Sequence, residues 1–511
     1  MSSPAASPDT DTGHYLALLA RDARFDGRFF TGVTSTGIYC RPVCKVRTPK
    51  RDNCRFFALA SQAEAAGFRP CLRCRPELAP ASAPDNDGAH WSVQDASALL
   101  ARQAARLLDA PQLWTDSLPS MGDVATRLGV SERHLRRLFE SQWGISPLQY
   151  LQTRRLLSAK QLLTDTRLPV AQVAALSGFA SMRRFNTVFA KQYRMQPRDL
   201  RKGAAPAHSG SGLRLRLAYR PPLDVTALLQ FFANRSLLGL EWVDAPARTM
   251  ARSLAVSWQG RWLQGWVRLY WPSDRPEVLM EVSDTLAEVL PQVMARVRAL
   301  LDLDADPLAI HTTLQTSFPG GIGLRVPGTV DGFELAVRAV LGQQVTVQAA
   351  RTLGTRLLQH LGTPLLAPLM EGPQPLTHLF PTPAQLREAS GEVLGQLGIV
   401  RQRQRAIQAL AAAVDDGQLQ LDAGANLQAT MTALTALPGI GDWTAQYIAM
   451  RALRWPDAFP GGDVALQNAL GVRHAPRPAV AAELASQAWR PWRSYATVRV
   501  WSGGLALLTN S

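Results

Sequence analysis

Four cysteines constrain this chain more than any other feature. Cys40, Cys44, Cys71 and Cys74 read C-x3-C, a gap of 26 residues, then C-x2-C. Each short loop can aim two thiolates at one ion, and the intervening segment must bring the two pairs together. Four sulfurs suit zinc or an iron–sulfur cluster, and on spacing alone a closed four-thiolate site is structural. The fifth cysteine, Cys54, stands outside the pattern and reads as a buried thiol rather than a further ligand. This usage argues against a secreted disulfide framework.

At 511 residues the chain holds several domains. It shows no apolar run of membrane-spanning length and no signal-peptide pattern at its start, so the expectation is a cytoplasmic, nucleoid-associated protein with no membrane partner. The net charge of +15 is uneven. Residues 1–203 hold 29 of the 55 Lys+Arg and 17 of the 40 Asp+Glu, a balance of +12. Every lysine (Lys45, Lys50, Lys160, Lys191, Lys202) falls there. Such asymmetry implies a polyanionic partner for the N-terminal part; charge alone leaves DNA, RNA and anionic lipid open.

Two linkers, 79–90 and 203–212, are rich in Ala, Pro, Gly and Ser. Residues 1–13 read as disordered. The predicted organisation is multidomain and mainly α. A small four-cysteine, metal-binding α+β module (1–81) precedes an all-α double helix-turn-helix module (90–202), a small α+β domain (213–303) and an all-α region (304–511).

The second module carries an imperfect repeat, 121–151 and 169–201. In the first copy Gly129 permits a turn and Ser131 caps a helix whose inward stripe is Leu135, Leu138 and Phe139. Arg133, His134, Arg136 and Arg137 face outward. In the second copy Gly178 turns and Ser181 caps; Phe185, Val188 and Phe189 face inward, and Arg183, Arg184 and Asn186 outward. This is helix-turn-helix construction, with the second helix of each copy shaped for a major groove. The alternative is a helical bundle with solvated arginines. In 213–303, RLRLAY (214–219), SLAVSW (253–258) and WVRLYW (266–271) alternate as strands, and 291–303 reads as an amphipathic helix. From 304 onward the pattern is helical, with two long helices over 333–362 and others over 384–391, 401–414, 427–435, 442–453, 463–470, 480–488 and 491–507.

The segments TGIYCRPVCKVRTPKRDNCRFF (36–57) and AAGFRPCLRCRPE (65–77) resemble the N-terminal domain of Ada-type methylphosphotriester repair proteins. The resemblance implies one zinc held by four thiolates, with Cys40 as the acceptor of a methyl group from a methylated backbone phosphate. Only the thiolate is nucleophilic, and a bound dication keeps it so at neutral pH. Methylating one of four thiolates takes the site from −2 to −1 and lowers its repulsion from phosphates, so the transfer can switch DNA affinity. Thr36, Arg47 and Arg69 match positions near the family's phosphate contacts. The repeat resembles the AraC-type DNA-binding domain, carried by Gly178, Phe179, Ser181, Phe185, Phe189 and the Pro197 segment. Arg133, His134, Arg136, Arg183, Arg184 and Asn186 are the candidate DNA contacts. No Pro-Cys-His motif occurs, so methylguanine repair by a second cysteine is not expected.

The segment ALTALPGIGDWTAQYIAMRAL (433–453) reads as a helix–hairpin–helix, in which Pro438, Gly439 and Gly441 let backbone N–H groups approach a DNA phosphate. With FPGGDVALQNALG (459–471), 323–350 and 489–501 it resembles the helix–hairpin–helix glycosylases, and within them the AlkA type of 3-methyladenine DNA glycosylase. PPLD (221–224) and SLAV (253–256) match that type's N-terminal domain. The resemblance makes Asp463 the catalytic carboxylate, which stabilises the oxocarbenium character of the sugar as the base departs. Trp443, Tyr447 and Trp501 match the pocket that holds a flipped, cationic alkylated purine. Trp443 stands where bifunctional relatives carry a Schiff-base lysine, which implies a monofunctional enzyme. Relatives insert a leucine wedge into the vacated stack; an ungapped alignment puts Ser317 there, beside Phe318.

Together these readings imply a repair enzyme fused to its own alkylation sensor. It would bind alkylated duplex DNA and a promoter site, act as a monomer, engage RNA polymerase at the promoter and need no organic cofactor. The rival is a transcription regulator whose C-terminal fold only grips DNA.

Overall fold

The computed structural model describes residues 8–80, 93–109, 121–201 and 212–503. The linker readings for 81–90 and 203–211, and the end of the last predicted helix at 504–507, lie outside these residues. The chain divides into two compact units.

In the first unit a helix spans Pro8–Ala20, so residues 8–13, expected to be disordered, are helical instead. Four short strands follow: β1 (Phe30–Val33), β2 (Ile38–Cys40), β3 (Cys54–Phe57) and β4 (Arg69–Pro70), in the order β3-β1-β2-β4. β1 pairs antiparallel with β2 and β3, while β2 and β4 run parallel with Tyr39 opposite Pro70. That parallel register decides the metal site, because the next residue on each strand is a cysteine. Gly32 has no substitute here: a Cβ would stand 2.8 Å from the Phe57 ring and 2.9 Å from that of Phe68. Phe30, Tyr39, Ala63 and Phe68 pack with Leu157 of the long helix Pro147–Asp165, so the four-cysteine module and the helical module share one core.

The helical module holds both predicted turn-and-helix copies. Gly129 and Gly178 adopt positive φ, +66° and +75°. The Ser131 and Ser181 hydroxyls accept from His134 N and Arg184 N, each at 3.2 Å, capping Glu132–Trp143 and Met182–Tyr193. Leu135, Leu138, Phe139, Phe185 and Phe189 are buried. Val188 is only half-buried.

In the first unit strand β5 (Leu213–Ala218) lies beside the start of β9 (Glu277–Val282), whose Pro276–Val278 stretch clusters with it. The second unit carries β6 (Glu241–Asp244), β7 (Thr249–Trp258) and β8 (Arg261–Tyr270), all antiparallel. The two long strands exceed the predicted segments because Gln259 and Gly260, at φ +48° and +73°, make a two-residue hairpin turn that pairs Trp258 with Arg261.

Beyond 304 the unit is helical except for one addition. A hairpin of β10 (Thr363–Leu369) and β11 (Leu376–Leu379) lays Leu365, Leu369, Leu376 and Leu379 against Trp242, Ala251 and Trp266 of the sheet. The sequence reading missed it because Pro364, Pro368, Pro373 and Pro375 look like helix punctuation; its ladder is correspondingly irregular between Pro364 and Leu369. Two helices, Gly332–Leu341 and Val347–Leu361, lead into the hairpin-bearing pair Leu427–Ala436 and Asp442–Arg451. Val464–Ala469 and Arg493–Trp501 pack beside them. None of the described helices is long and apolar enough to cross a membrane.

Candidate functional site

The parallel register of β2 and β4 sets Cys40 beside Cys71, and Cys71 N donates to Tyr39 O at 3.0 Å. The loops after each strand return Cys44 and Cys74, so that all four sulfurs lie within 4.8 Å of one another. A tetrahedron with zinc–sulfur bonds of about 2.3 Å needs sulfurs about 3.8 Å apart, so the cluster fits with little adjustment. The electrostatics agree. Hydrogen bonding among the thiols drives Cys40 and Cys74 far above the ordinary thiol range, led by Cys44 for the former and Cys40 for the latter. The hydrogen bond with Cys40 lowers Cys44 to about 7 and drives Cys71 far down. Crowded thiols cannot ionise together without a cation, and a soft dication removes that conflict. Arg41 supports the site from behind: its N–H donates to Cys74 Sγ at 3.3 Å, and its guanidinium pairs with buried Asp26. Cys54 lies apart, its thiol donating to Lys50 O at 3.3 Å.

Thr36 is exposed in the turn joining β1 and β2, Arg47 is exposed in the loop after Cys44, and Arg69 opens β4 half-buried. On the two capped helices, Arg133, Arg136, Arg183 and Arg184 are exposed, and His134 and Asn186 half-buried. His134 Nδ1 sits 3.0 Å from Arg137 Nη2.

In the second unit the hairpin Leu437–Gly441 joins its two helices with Pro438, Gly439 and Gly441 exposed. Gly439 needs its φ of +76°, and a Cβ there would meet the Ala406 Cβ at 3.0 Å. Gly441 has no such need: its φ is −87° and a Cβ would meet nothing within 4 Å. The room beside it is available to a partner.

One turn further on, Trp443 and Tyr447 stack with ring centroids 5.3 Å apart and planes at 11°; Trp501 closes at 6.2 Å from Tyr447. Asp463 caps Val464–Ala469, accepting from Leu466 N at 3.0 Å. It also accepts from both indoles, Trp443 Nε1 at 3.3 Å and Trp501 Nε1 at 3.4 Å. The carboxylate is half-buried. Four residues from three separate segments thus form one group: an anion held at the rim of three aromatic faces.

Four family models match the chain. They are the metal binding domain of Ada at 14–77, a helix-turn-helix domain at 124–203, the AlkA N-terminal domain at 214–331, and the HhH-GPD superfamily of base excision DNA repair proteins at 337–494. The "Probable bifunctional transcriptional activator/DNA repair enzyme AlkA" of Mycobacterium tuberculosis is 38% identical over 499 residues, covering 96% of this chain and 95% of that protein. The chain belongs to this family of fused repair and regulatory proteins. The "DNA-3-methyladenine glycosylase 2" of Escherichia coli is 33% identical over 56% of this chain and 95% of its own length. The Escherichia coli "Bifunctional transcriptional activator/DNA repair enzyme Ada" is 36% identical over 30% of this chain and 39% of its own. The chain therefore combines a zinc-binding module and a DNA-binding helix-turn-helix module with a glycosylase of the HhH-GPD type.

One expectation is overturned. Phe318 cannot serve as a wedge in this family member, because it is fully buried against Trp489, with ring centroids 5.2 Å apart. Ser317 is no better placed, its hydroxyl being occupied by the Trp489 indole at 3.0 Å. The structure offers a different turn. Gln343 donates from Nε2 to Gly439 O at 2.9 Å and to Thr444 Oγ1 at 3.0 Å, tying the Gly342–Thr346 turn to the hairpin. The next residue, Gln344, is exposed at φ +52°, a strained conformation for a side-chain-bearing residue.

The sequence reading also missed the floor of the aromatic group. Arg451 bonds the Tyr447 hydroxyl and lies 4.8 Å from the Phe231 ring; Arg235 lies 3.8 Å from the same ring. Burial pushes the Tyr447 phenol up, but the two guanidiniums outweigh it and leave it below its ordinary value. Arg451 shares a helical face with Tyr447 four residues away, which was readable; Phe231 and Arg235 reach the site only through the fold.

Proposed function

We propose that the chain excises alkylated purines of the 3-methyladenine and 7-methylguanine class as a monofunctional glycosylase. It also repairs methylphosphotriesters and regulates transcription from a promoter site. The observation that carries the enzymatic half is Asp463 held between the Trp443 and Trp501 indoles. A regulator that only grips DNA has no use for a carboxylate fixed at the rim of an aromatic pocket.

The chemistry follows from the residues. The extruded base lies against Trp443, Tyr447 and Trp501, whose faces favour a cation. As the glycosidic bond breaks, its electrons pass to the base, and the Asp463 carboxylate faces the positive charge left on the sugar. Water then adds at that carbon, gives up a proton to the Asp463 carboxylate and leaves an abasic site. The two indole donors hold the carboxylate in place without neutralising it. Pro438, Gly439 and Gly441 seat a backbone phosphate on hairpin N–H groups. Gln344, exposed on a turn braced to that hairpin, fills the vacated stack.

In the first unit a single zinc on Cys40, Cys44, Cys71 and Cys74 would keep the sulfurs as thiolates. The Cys40 sulfur attacks the methyl carbon of a methylphosphotriester; a sulfur–carbon bond forms, the carbon–oxygen bond breaks and the phosphodiester leaves with its negative charge. Thr36, Arg47 and Arg69 orient the backbone. Arg133, His134, Arg136, Arg183, Arg184 and Asn186 read or grip the promoter. The working division is 1–81, 90–202, 213–303 and 304–511. The test is release of free bases from alkylated duplex DNA by the full chain and by D463N. Equal release by both would remove Asp463 from the reaction.

A further inference from the structure

Arg499 is 2% exposed, and its Nη1 has no hydrogen-bond partner. No described residue forms an ion pair with it, and the Phe318 ring centroid lies 5.9 Å from its guanidinium carbon. Burial alone brings its pKa down to about 10. A second polar group beside it is in the same state: His311 Nδ1 is buried without a partner, and His311 is held below its ordinary value by burial and by the Arg499 charge. An unpaired guanidinium under a fold's surface is costly by desolvation, and an anion that arrives from outside offsets that cost.

The cover over Arg499 suits such a visitor. The loop Ser317–Gly323 runs across it, and a Cβ at Gly321 would stand 3.4 Å from Arg499 Cγ. Pro319, Gly320 and Gly321 are exposed, and a Cβ at Gly320 would meet nothing within 4 Å. Among the described residues, no acceptor takes the backbone N–H of Gly320, Gly321 or Ile322. Free N–H groups on a glycine turn above a buried cation are how proteins seat a tetrahedral oxyanion. Arg499 is also placed to matter for repair. It lies two residues before Trp501 on the same helix, so the two side chains leave on different faces, one toward Asp463 and the other toward this loop.

We propose that Arg499, His311 and the Pro319–Gly321 turn form a phosphate-binding nook that grips one backbone phosphate of the DNA whose base enters the Asp463 pocket. The inference rests on the glycosylase reading and adds a contact outside both hairpin and pocket. The nook positions DNA and takes no part in bond breaking.

The test uses the full chain and short duplexes with a central uncleavable lesion analogue, each carrying one neutral methylphosphonate linkage in place of a phosphate. Such a linkage has no transferable methyl ester. In wild type, neutralising one linkage near the lesion weakens binding by about tenfold. R499M weakens binding of the unmodified duplex by a similar factor, and that linkage then costs nothing further. The slope of log K against log salt becomes shallower by about 0.9, one phosphate contact. Without DNA, R499M melts no lower than wild type, because no internal partner is lost. G320E, at an open surface position, repeats the loss through charge repulsion and guards against a folding defect in R499M. Base release at saturating DNA is retained in both variants, whereas D463N loses it; full release by D463N would instead overturn the glycosylase assignment. If no linkage is coupled to R499M, the nook does not hold DNA. Stabilisation of wild type by inorganic phosphate without such coupling would assign it to a free anion and overturn the proposal.

Discussion

The Trp501 indole donates to the Asp463 carboxylate at 3.4 Å across 38 residues of chain. That bond links the final described helix to the N-cap of Val464–Ala469, so one carboxylate both caps that helix and stands at the mouth of the aromatic group.

Asp463 has two tasks, and D463N separates them. Asparagine caps a helix as well as aspartate does, so thermal stability stays within about 0.5 kcal/mol of wild type. Stabilisation of the sugar cation disappears, and single-turnover base release falls by roughly a hundredfold or more. Binding to an uncleavable lesion duplex, read by fluorescence anisotropy, remains.

The hairpin glycines are not equivalent. Ala at Gly439 must adopt φ +76° and press on Ala406, which costs about 1–2 kcal/mol and lowers the melting temperature. Ala at Gly441 meets nothing in the protein. G441A therefore keeps its stability but loses affinity for duplex DNA, by about tenfold in a titration at fixed salt. A G441A variant that binds normally would show that no phosphate approaches this backbone.

Metal removal should strike one module only. Chelation exposes β1, β2 and β4 to hydrogen exchange, since those strands converge on the cysteines, while base release by the second unit persists. C71S abolishes zinc retention and C54S leaves it intact, because Cys54 only donates to Lys50 O. Metal analysis of the purified chain should find one zinc per molecule; two or none would break the four-thiolate assignment.

Glu64 gives the first unit a pH dependence. It is buried between the Tyr39 hydroxyl, which donates at 3.0 Å, and the Thr153 hydroxyl, at 2.8 Å. Burial raises it from 4.5 to about 8, against the weaker opposing pulls of Thr153, Tyr39 and Lys160. A raised carboxyl binds a proton in the folded state that the unfolded chain has released. Its contribution is complete below pH 4.5 and is lost as pH rises toward 8, at up to about 1.4 kcal/mol per pH unit. Hydrogen exchange in the helix Pro147–Asp165 should quicken over that window in wild type. E64Q should flatten the dependence.

Residue type and spacing make several parts legible in the sequence. Two cysteine pairs imply a shared ion, Gly129 and Ser131 imply a turn and a cap, and Gly-x-Gly before a helix implies a phosphate seat. Each of these is local: a few neighbouring residues with fixed backbone requirements. The β10–β11 hairpin was hidden because its prolines obey the rule for helix breaks as well as the rule for irregular edge strands. Phe318 and Ser317 were misjudged as a wedge because alignment gives a position and not an exposure.

The sequence by itself determined the chemistry available to this protein: four soft ligands, two capped basic helices, an acid at a helix start and three aromatic rings at helical or distant spacing. The tertiary structure decided which of these meet. Only the parallel register of β2 and β4 puts Cys40 beside Cys71, and only the packing of the last helix brings Trp501 to Asp463 and carries Arg499 under the glycine loop. Contacts across long stretches of chain depend on the combined shape of the core, which no short run of residues encodes.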